Sequence, residues 1–185
     1  MEQLKEEQRY TYRDYVQWEG DERWELIDGV PYMMAAPRVN HQRIAGRAYS
    51  LFLDGLRGKT CEPFISPIDV RLNHDTGDDT VVQPDVIVVC DPNKITENTI
   101  NGAPDLVIEV LSPSTSRKDR WFKYISYQQA GVKEYWIIDP ENRSVEVYVL
   151  QDAQYRKDHV YDSEGIIKTT LFEELEIAVI DIFEA

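Results

Sequence analysis

Cysteine is scarce in this chain, with two residues among 185, and neither stands at CxxC spacing. Histidine is nearly as rare, at the scattered positions 41, 74 and 159. There is no Gly-rich phosphate loop, no HExxH, no GxSxG and no long hydrophobic run. These absences argue against thiolate-metal and Ser-His chemistry. They exclude a membrane span, and 42% apolar residues exclude a disordered or collagen-like chain. A chain of this size buries about 70% of its unfolded surface, so its core needs no staple. Cys90 ends the apolar run Val86-Ile87-Val88-Val89, from which reduced, buried thiols and a cytoplasmic location are expected. The opening MEQLKEEQRY is not a charged-then-apolar leader.

What is abundant is acid. The chain carries 34 Asp and Glu against 20 Lys and Arg, a formal net charge of -14, which opposes broad nucleic-acid binding. The excess sits at the ends, with net -5 over residues 1–30 and net -7 over 158–185. Only within 112–134 do bases clearly prevail, with Arg117, Lys118, Arg120, Lys123 and Lys133 against two acids. Any phosphate-binding surface is therefore expected to be local and salt-sensitive.

Thr11 three residues before Asp14 predicts a short capped helix ending near Gly20. Alternating apolar residues either side of Asp28-Gly29 predict a hairpin. Between Pro37 and Gly58 the apolar spacing suits an amphipathic helix packed on a sheet. Strands are then expected at 64–65, 68–72, 86–90, 106–111, 135–138 and 145–150, interrupted by a polar excursion over 73–80. Two of them, VIVVC and LVIEVL, are apolar on both faces, as central strands are. The stretch 114–131 reads as a helix ended by Gly131, and its strand, helix, strand order predicts a right-handed crossover. Short strands and an acidic extension follow from 151 to 185. No linker composition divides the chain, so 1–185 is read as one domain.

Acids inside apolar strands are the candidates for chemistry. Glu109 interrupts LVIEVL, where an unpaired carboxylate costs several kcal/mol to desolvate. Asp85 directly precedes VIVVC. On neighbouring strands the two converge on one edge, and two or three carboxylates with waters are what Mg²⁺ uses. The structural alternatives are a buried ion pair from Glu109 to a base on the following helix, and a turn role for Asp85 after Pro84.

Asp85 in QPD, Glu109 in DLVIEVLSPST, then Arg117, Asp119, Lys123, Tyr127 and GVKEYWIIDP together resemble the Uma2 (DUF820) family of restriction-endonuclease-like proteins. TYRDYVQW, RWELIDG, PRVNH and SPIDVRL match as well, so the resemblance spans about residues 10–150. It implies an α/β restriction-endonuclease-like fold of the PD-(D/E)XK superfamily, a mixed central sheet flanked by helices. It also implies DNA as partner and Mg²⁺-dependent phosphodiester hydrolysis, with Mn²⁺ as substitute. Asp85, Glu109 and Lys123 are the implied catalytic residues, and Glu25 the acid that joins Asp85 and Glu109 around the metal. In one respect the chain departs from the wider motif: Leu111 stands where it has Lys, and Lys123 on the next helix is the replacement. The alternatives are an i,i+4 surface pair between Lys123 and Asp119, and a solvent-facing strand position for Glu25. His41 is a substrate contact or a helix cap, and Asp69 faces either the site or the less buried side of its strand. Arg117, Lys118 and Arg120 are the expected phosphate contacts. A homodimer is compatible with this reading and a membrane partner is not expected. The rival reading is an inactive nuclease-fold scaffold, favoured by the acidic extension and the displaced Lys.

Overall fold

The structure, a computed structural model, describes residues 8–112 and 118–184, apart from the side chains at 118 and 119. Thr11 donates from its backbone N–H and its hydroxyl to Asp14 Oδ2, each at 2.8 Å, and caps the single turn Tyr12–Tyr15 (α1). This helix stops well before Gly20, because Trp18 leaves it to meet Tyr10, Tyr15 and Trp24 edge-on. The hairpin Trp24–Ile27 (β1) and Val30–Met33 (β2) turns through Asp28 and Gly29, at φ 51° and 75°. Positive φ at both central residues is what a two-residue type I′ turn requires. Val39–Gly55 (α2) follows, burying Ile44, Ala45, Ala48 and Phe52 along one stripe, as its period predicts.

The remaining strands are Glu62–Ile65 (β3), Asp69–Arg71 (β4), Val81–Val82 (β5), Val86–Val89 (β6), Thr99–Asn101 (β7) and Leu106–Val110 (β8). After the π-helical turn Lys118–Lys123 and the helix Tyr124–Ala130 (α3) come Glu134–Asp139 (β9), Ser144–Gln151 (β10) and Gln154–Tyr161 (β11). Ile166–Lys168 (β12), Glu176–Ala178 (β13) and Val179–Phe183 (α4) complete the order. The expected helix from 114 is thus seen from Lys118 onward, with Gly131 left-handed at its end (φ 89°).

β11-β10-β9-β8-β6-β3 form a mixed six-stranded sheet, in which β8 and β9 run parallel. β6 and β8 lie inside it and every residue of both is buried, as their two-sided apolar sequences require. One face packs Val86, Val88, Ile108 and Trp136 against α2, α4 and the hairpin β12-β13. The other packs Ile87, Val107 and Ile137 against α3 and the second sheet, β2-β1-β5-β4-β7. The C-terminal stretch is more than an acidic extension. Ile167, Phe172, Leu175, Ile177, Val179 and Ile182 are buried in the same cluster as α2.

The cysteines correct an expectation. Cys61 and Cys90 are half-buried and joined in a disulfide. Antiparallel pairing of Glu62 with Val89 sets positions 61 and 90 opposite each other, across 29 residues of sequence. That removes the premise of reduced thiols on which a cytoplasmic location was inferred. Among the described residues no helix is long and apolar enough to cross a membrane.

Candidate active site

The two sheets are joined through Gln83-Pro84-Asp85, which links β5 to β6, and the acids meet at that crossing. The β6–β8 register pairs Val86 with Ile108, which brings Asp85, just before β6, level with Glu109 on β8, and Glu109 turns toward α3 and the second sheet. The Val110 N–H donates to Asp85 Oδ2 at 2.7 Å, and His41 Nε2 lies 3.2 Å from the same oxygen. Asp85 is thus held by a backbone amide and a helix residue. Glu25 comes from β1 in the other sheet, fully buried, where its Oε1 accepts the Gln83 N–H at 2.9 Å.

Lys123 spans the gap. Its ammonium lies 2.8 Å from Glu25 Oε1 and 2.7 Å from Glu109 Oε1, and the residue is 2% exposed. A surface pair with Asp119 is therefore excluded for Lys123, and a solvent-facing position is excluded for Glu25. The ion pair expected for Glu109 with the next helix is present, and it involves the residue that the resemblance assigned to catalysis. Leu111 is buried in the apolar cluster on the same face. Tyr127, one helical turn beyond Lys123, donates from its hydroxyl to Glu109 Oε1 at 2.6 Å. Burial, and next the charge of Glu109, push its phenol well above the ordinary value, so it serves as a fixed donor. The i,i+4 spacing from Lys123 is the sequence signal for Tyr127, since it sets both on one helix face.

His41, in the first turn of α2, borders a cleft of about 480 Å³ together with Arg38, Asn40, Ser112, Asp139 and Glu141. The cleft opens beyond the carboxyl ends of the parallel strands β8 and β9, where open α/β sheets receive ligands. Sequence reading did not single out Arg38, and its place at the start of a predicted helix was the available signal.

Other expected residues lie elsewhere. Asp69 accepts from Gln83 Nε2 at 2.8 Å and Tyr15 OH at 3.1 Å, one residue removed from the Glu25 contact. Burial and the nearby Asp69 raise the Tyr15 phenol. Arg120, expected to contact phosphate, pairs with Glu146 and lies 3.7 Å from Asp139. Arg117 and the Lys118 side chain lie outside the described residues.

As donors, Asp85 and Glu109, level with each other on adjacent chain segments, offer only hard carboxylate oxygens. That set suits Mg²⁺, which uses one or two carboxylates and keeps several waters. Among the described residues no group of three or more His, Cys, Asp or Glu is gathered tightly enough to hold a metal. Lys123 lies between Glu25 and Glu109.

Comparison with known proteins agrees with this architecture. The Uma2 family model, described as "Putative restriction endonuclease", matches residues 12–180. An uncharacterized protein of Synechocystis sp. is 32% identical over 142 residues, which are 75% of this chain and 73% of that protein. A crystal structure from Anabaena variabilis, described as a "putative nuclease belonging to DUF820", superposes with a TM-score of 0.76 at 22% identity. The superposition covers 94% of this chain and 97% of that one, and shows a shared fold.

Proposed function

From the premise that this chain belongs to the Uma2 family, we propose that it is a metal-dependent nuclease hydrolysing DNA phosphodiester bonds. Asp85, Glu109 and Lys123 are its central residues, and Glu25 a supporting acid. The observation that carries this reading is Lys123, buried between Glu25 and Glu109 and across one strand pair from Asp85. A lysine and three acids converging from both sheets beside a cleft is a costly arrangement for packing alone, because each charge must be desolvated.

Asp85 and Glu109 would hold Mg²⁺, or Mn²⁺ in its place. When bound, the ion lowers the pKa of a coordinated water and polarises a phosphoryl oxygen. The chain keeps both carboxylates oriented in advance. Lys123 and Tyr127 fix Glu109 Oε1, and the Val110 amide and His41 fix Asp85 Oδ2. Lys123 is the cation nearest the reacting phosphate and stabilises the negative charge that grows there. His41 and Arg38 face the cleft as contacts for an adjoining phosphate. DNA as substrate rests on family and fold analogy.

The scaffold reading is favoured by one observation: Lys123 is already neutralised by two glutamates. Calorimetric titration with Mg²⁺ and Mn²⁺, paired with cleavage assays on plasmid, linear and single-stranded DNA, separates the two. The nuclease is expected to bind the ion and cut, and Asp85→Asn or Glu109→Gln to lose both while staying folded. Tight Mg²⁺ binding by either variant would move the metal site. Absence of binding and cleavage in the parent would establish the scaffold.

A further inference from the structure

Lys123 is held in a way that its proposed task does not explain. Its ammonium is 2.8 Å from Glu25 Oε1 and 2.7 Å from Glu109 Oε1, and its side chain is 3% exposed. A cation held that closely by two carboxylates is compensated by them and acts weakly on a phosphate. The same contact occupies Glu109 Oε1, an oxygen of a residue proposed to hold Mg²⁺. One ammonium thus stands in the way of both the metal and its own action beside it.

The surrounding contacts show which of the two bonds can open. Glu109 Oε1 also accepts from the Tyr127 hydroxyl at 2.6 Å, and Glu25 Oε1 from the Gln83 N–H at 2.9 Å. Either oxygen therefore stays hydrogen-bonded when the lysine leaves it. Glu25 is fully buried and needs a cation at hand. Glu109 has another recourse, because Asp85 lies level with it on the adjacent segment. The Asp85 side chain is 15% exposed, against 4% for Glu109, and sits beside His41 of the cleft, so an entering ion reaches Asp85 and then Glu109. Three carboxylates share one lysine here, which leaves an excess of negative charge for a second cation to offset. Lys123 is also the last residue of the π-helical turn and directly precedes α3, a seam of the kind found at functional sites.

We propose that Lys123 and the divalent ion exchange at Glu109. Lys123 holds Glu109 while the ion is absent and gives it up when Asp85 and Glu109 take the ion. Glu25 retains the ammonium, which is then available to the phosphate. Glu25 is a positioning residue in this scheme, and the contact that neutralises Lys123 belongs to the metal-free state. This rests on the nuclease reading and adds an order of events to it: the lysine becomes available only after the metal is bound.

The test is calorimetric titration of Mg²⁺, repeated with Mn²⁺, into the parent, Lys123→Met and the double variant Glu25→Gln with Lys123→Met. The double variant decides. It removes one charge of each sign, so the net charge of the cluster is unchanged while Glu109 loses its competitor. Exchange predicts that the double variant binds Mg²⁺ roughly ten-fold tighter than the parent, about the worth of one charge-assisted hydrogen bond. Lys123→Met is expected to bind at least as tightly as the double variant. Mg²⁺ should also raise its melting temperature more than the parent's, because the ion replaces the missing charge. If Lys123→Met does not fold with two carboxylates stranded, the double variant, which strands one fewer, carries the comparison. Binding in the parent with no gain in the double variant overturns the exchange and leaves the nuclease. Binding in the double variant, with no cleavage by the parent at any Mg²⁺ or Mn²⁺ concentration, defeats the nuclease and leaves the exchange. No ion bound by any of the three folded proteins defeats both.

Discussion

Lys123 makes the energetics of the site visible at one residue. Removing one member of a buried ion pair leaves the other charge without compensation, at a cost of about 3–5 kcal/mol. Lys123→Met retains most of the stem's packing, yet it strands Glu25 and Glu109 together. Urea unfolding is expected to show a loss of that size in the parent background. In a Glu25→Gln, Glu109→Gln background the same substitution should cost much less, because no carboxylate remains to be stranded. Equal costs in the two backgrounds would mean that Lys123 contributes packing alone. Much of this residue's role was legible beforehand: an acid inside LVIEVL demands a partner, and a lysine on the next helix is within reach. The contact with Glu25 was not legible, since Glu25 comes from the other sheet, 98 residues away in sequence.

Elements here are delimited by left-handed residues, and two glycines show how context sets the cost. Gly131 ends α3 at φ 89°, where an added Cβ would meet nothing within 4 Å. Gly29 turns the β1-β2 hairpin at φ 75°, and there a Cβ would come within 2.8 Å of the Arg9 Cβ and 3.2 Å of Tyr10 backbone atoms. Gly131→Ala pays the left-handed backbone penalty, about 1–2 kcal/mol. Gly29→Ala pays that and a clash with backbone, so its loss in denaturant unfolding should be the larger of the two. The reverse order would mean that the N-terminal segment yields at little cost. The Asp-Gly hairpin and the glycine stop were both readable locally, because backbone sterics are local. The early end of α1 was not, because Trp18 leaves the helix for aromatic partners that the fold supplies.

For the molecule as a whole, acid stability turns on the carboxylate that ties the π-helical turn to the sheet edge. Glu146 on β10 accepts from Lys157 Nζ on β11 at 2.6 Å, from Tyr148 OH at 2.7 Å and from Arg120. Burial alone would raise its pKa, but these three donors outweigh it and hold the carboxyl at about 2, below its ordinary 4.5. A carboxyl depressed in the folded state contributes stability fully above its unfolded pKa and loses it as protons bind. The melting temperature should therefore fall as pH drops from about 4.5 toward 2. Glu146→Gln should melt lower than the parent at neutral pH and show a shallower decline through that window. Parallel curves in differential scanning calorimetry would remove Glu146 from the acid response.

The β1-β2 hairpin, α2, the central strands, the two-sided burial of VIVVC and LVIEVL and the candidacy of Asp85, Glu109, Lys123 and Glu25 were determined by the sequence alone, whereas β5, β7 and α4 were not foreseen. Each of the former follows from periodicity, turn chemistry and the cost of burying charge, or from the family resemblance its motifs carry. What only the tertiary structure decided are relations between residues distant in sequence. They include the Cys61–Cys90 pairing across β3 and β6, the entry of residues 167–182 into the core, and the neutralisation of Arg120 by Glu146. Lys123 is the clearest case. Its candidacy came from the family resemblance, but its burial between two glutamates exists only because Gln83-Pro84-Asp85 carries the chain from one sheet to the other and brings their acids to a single cation.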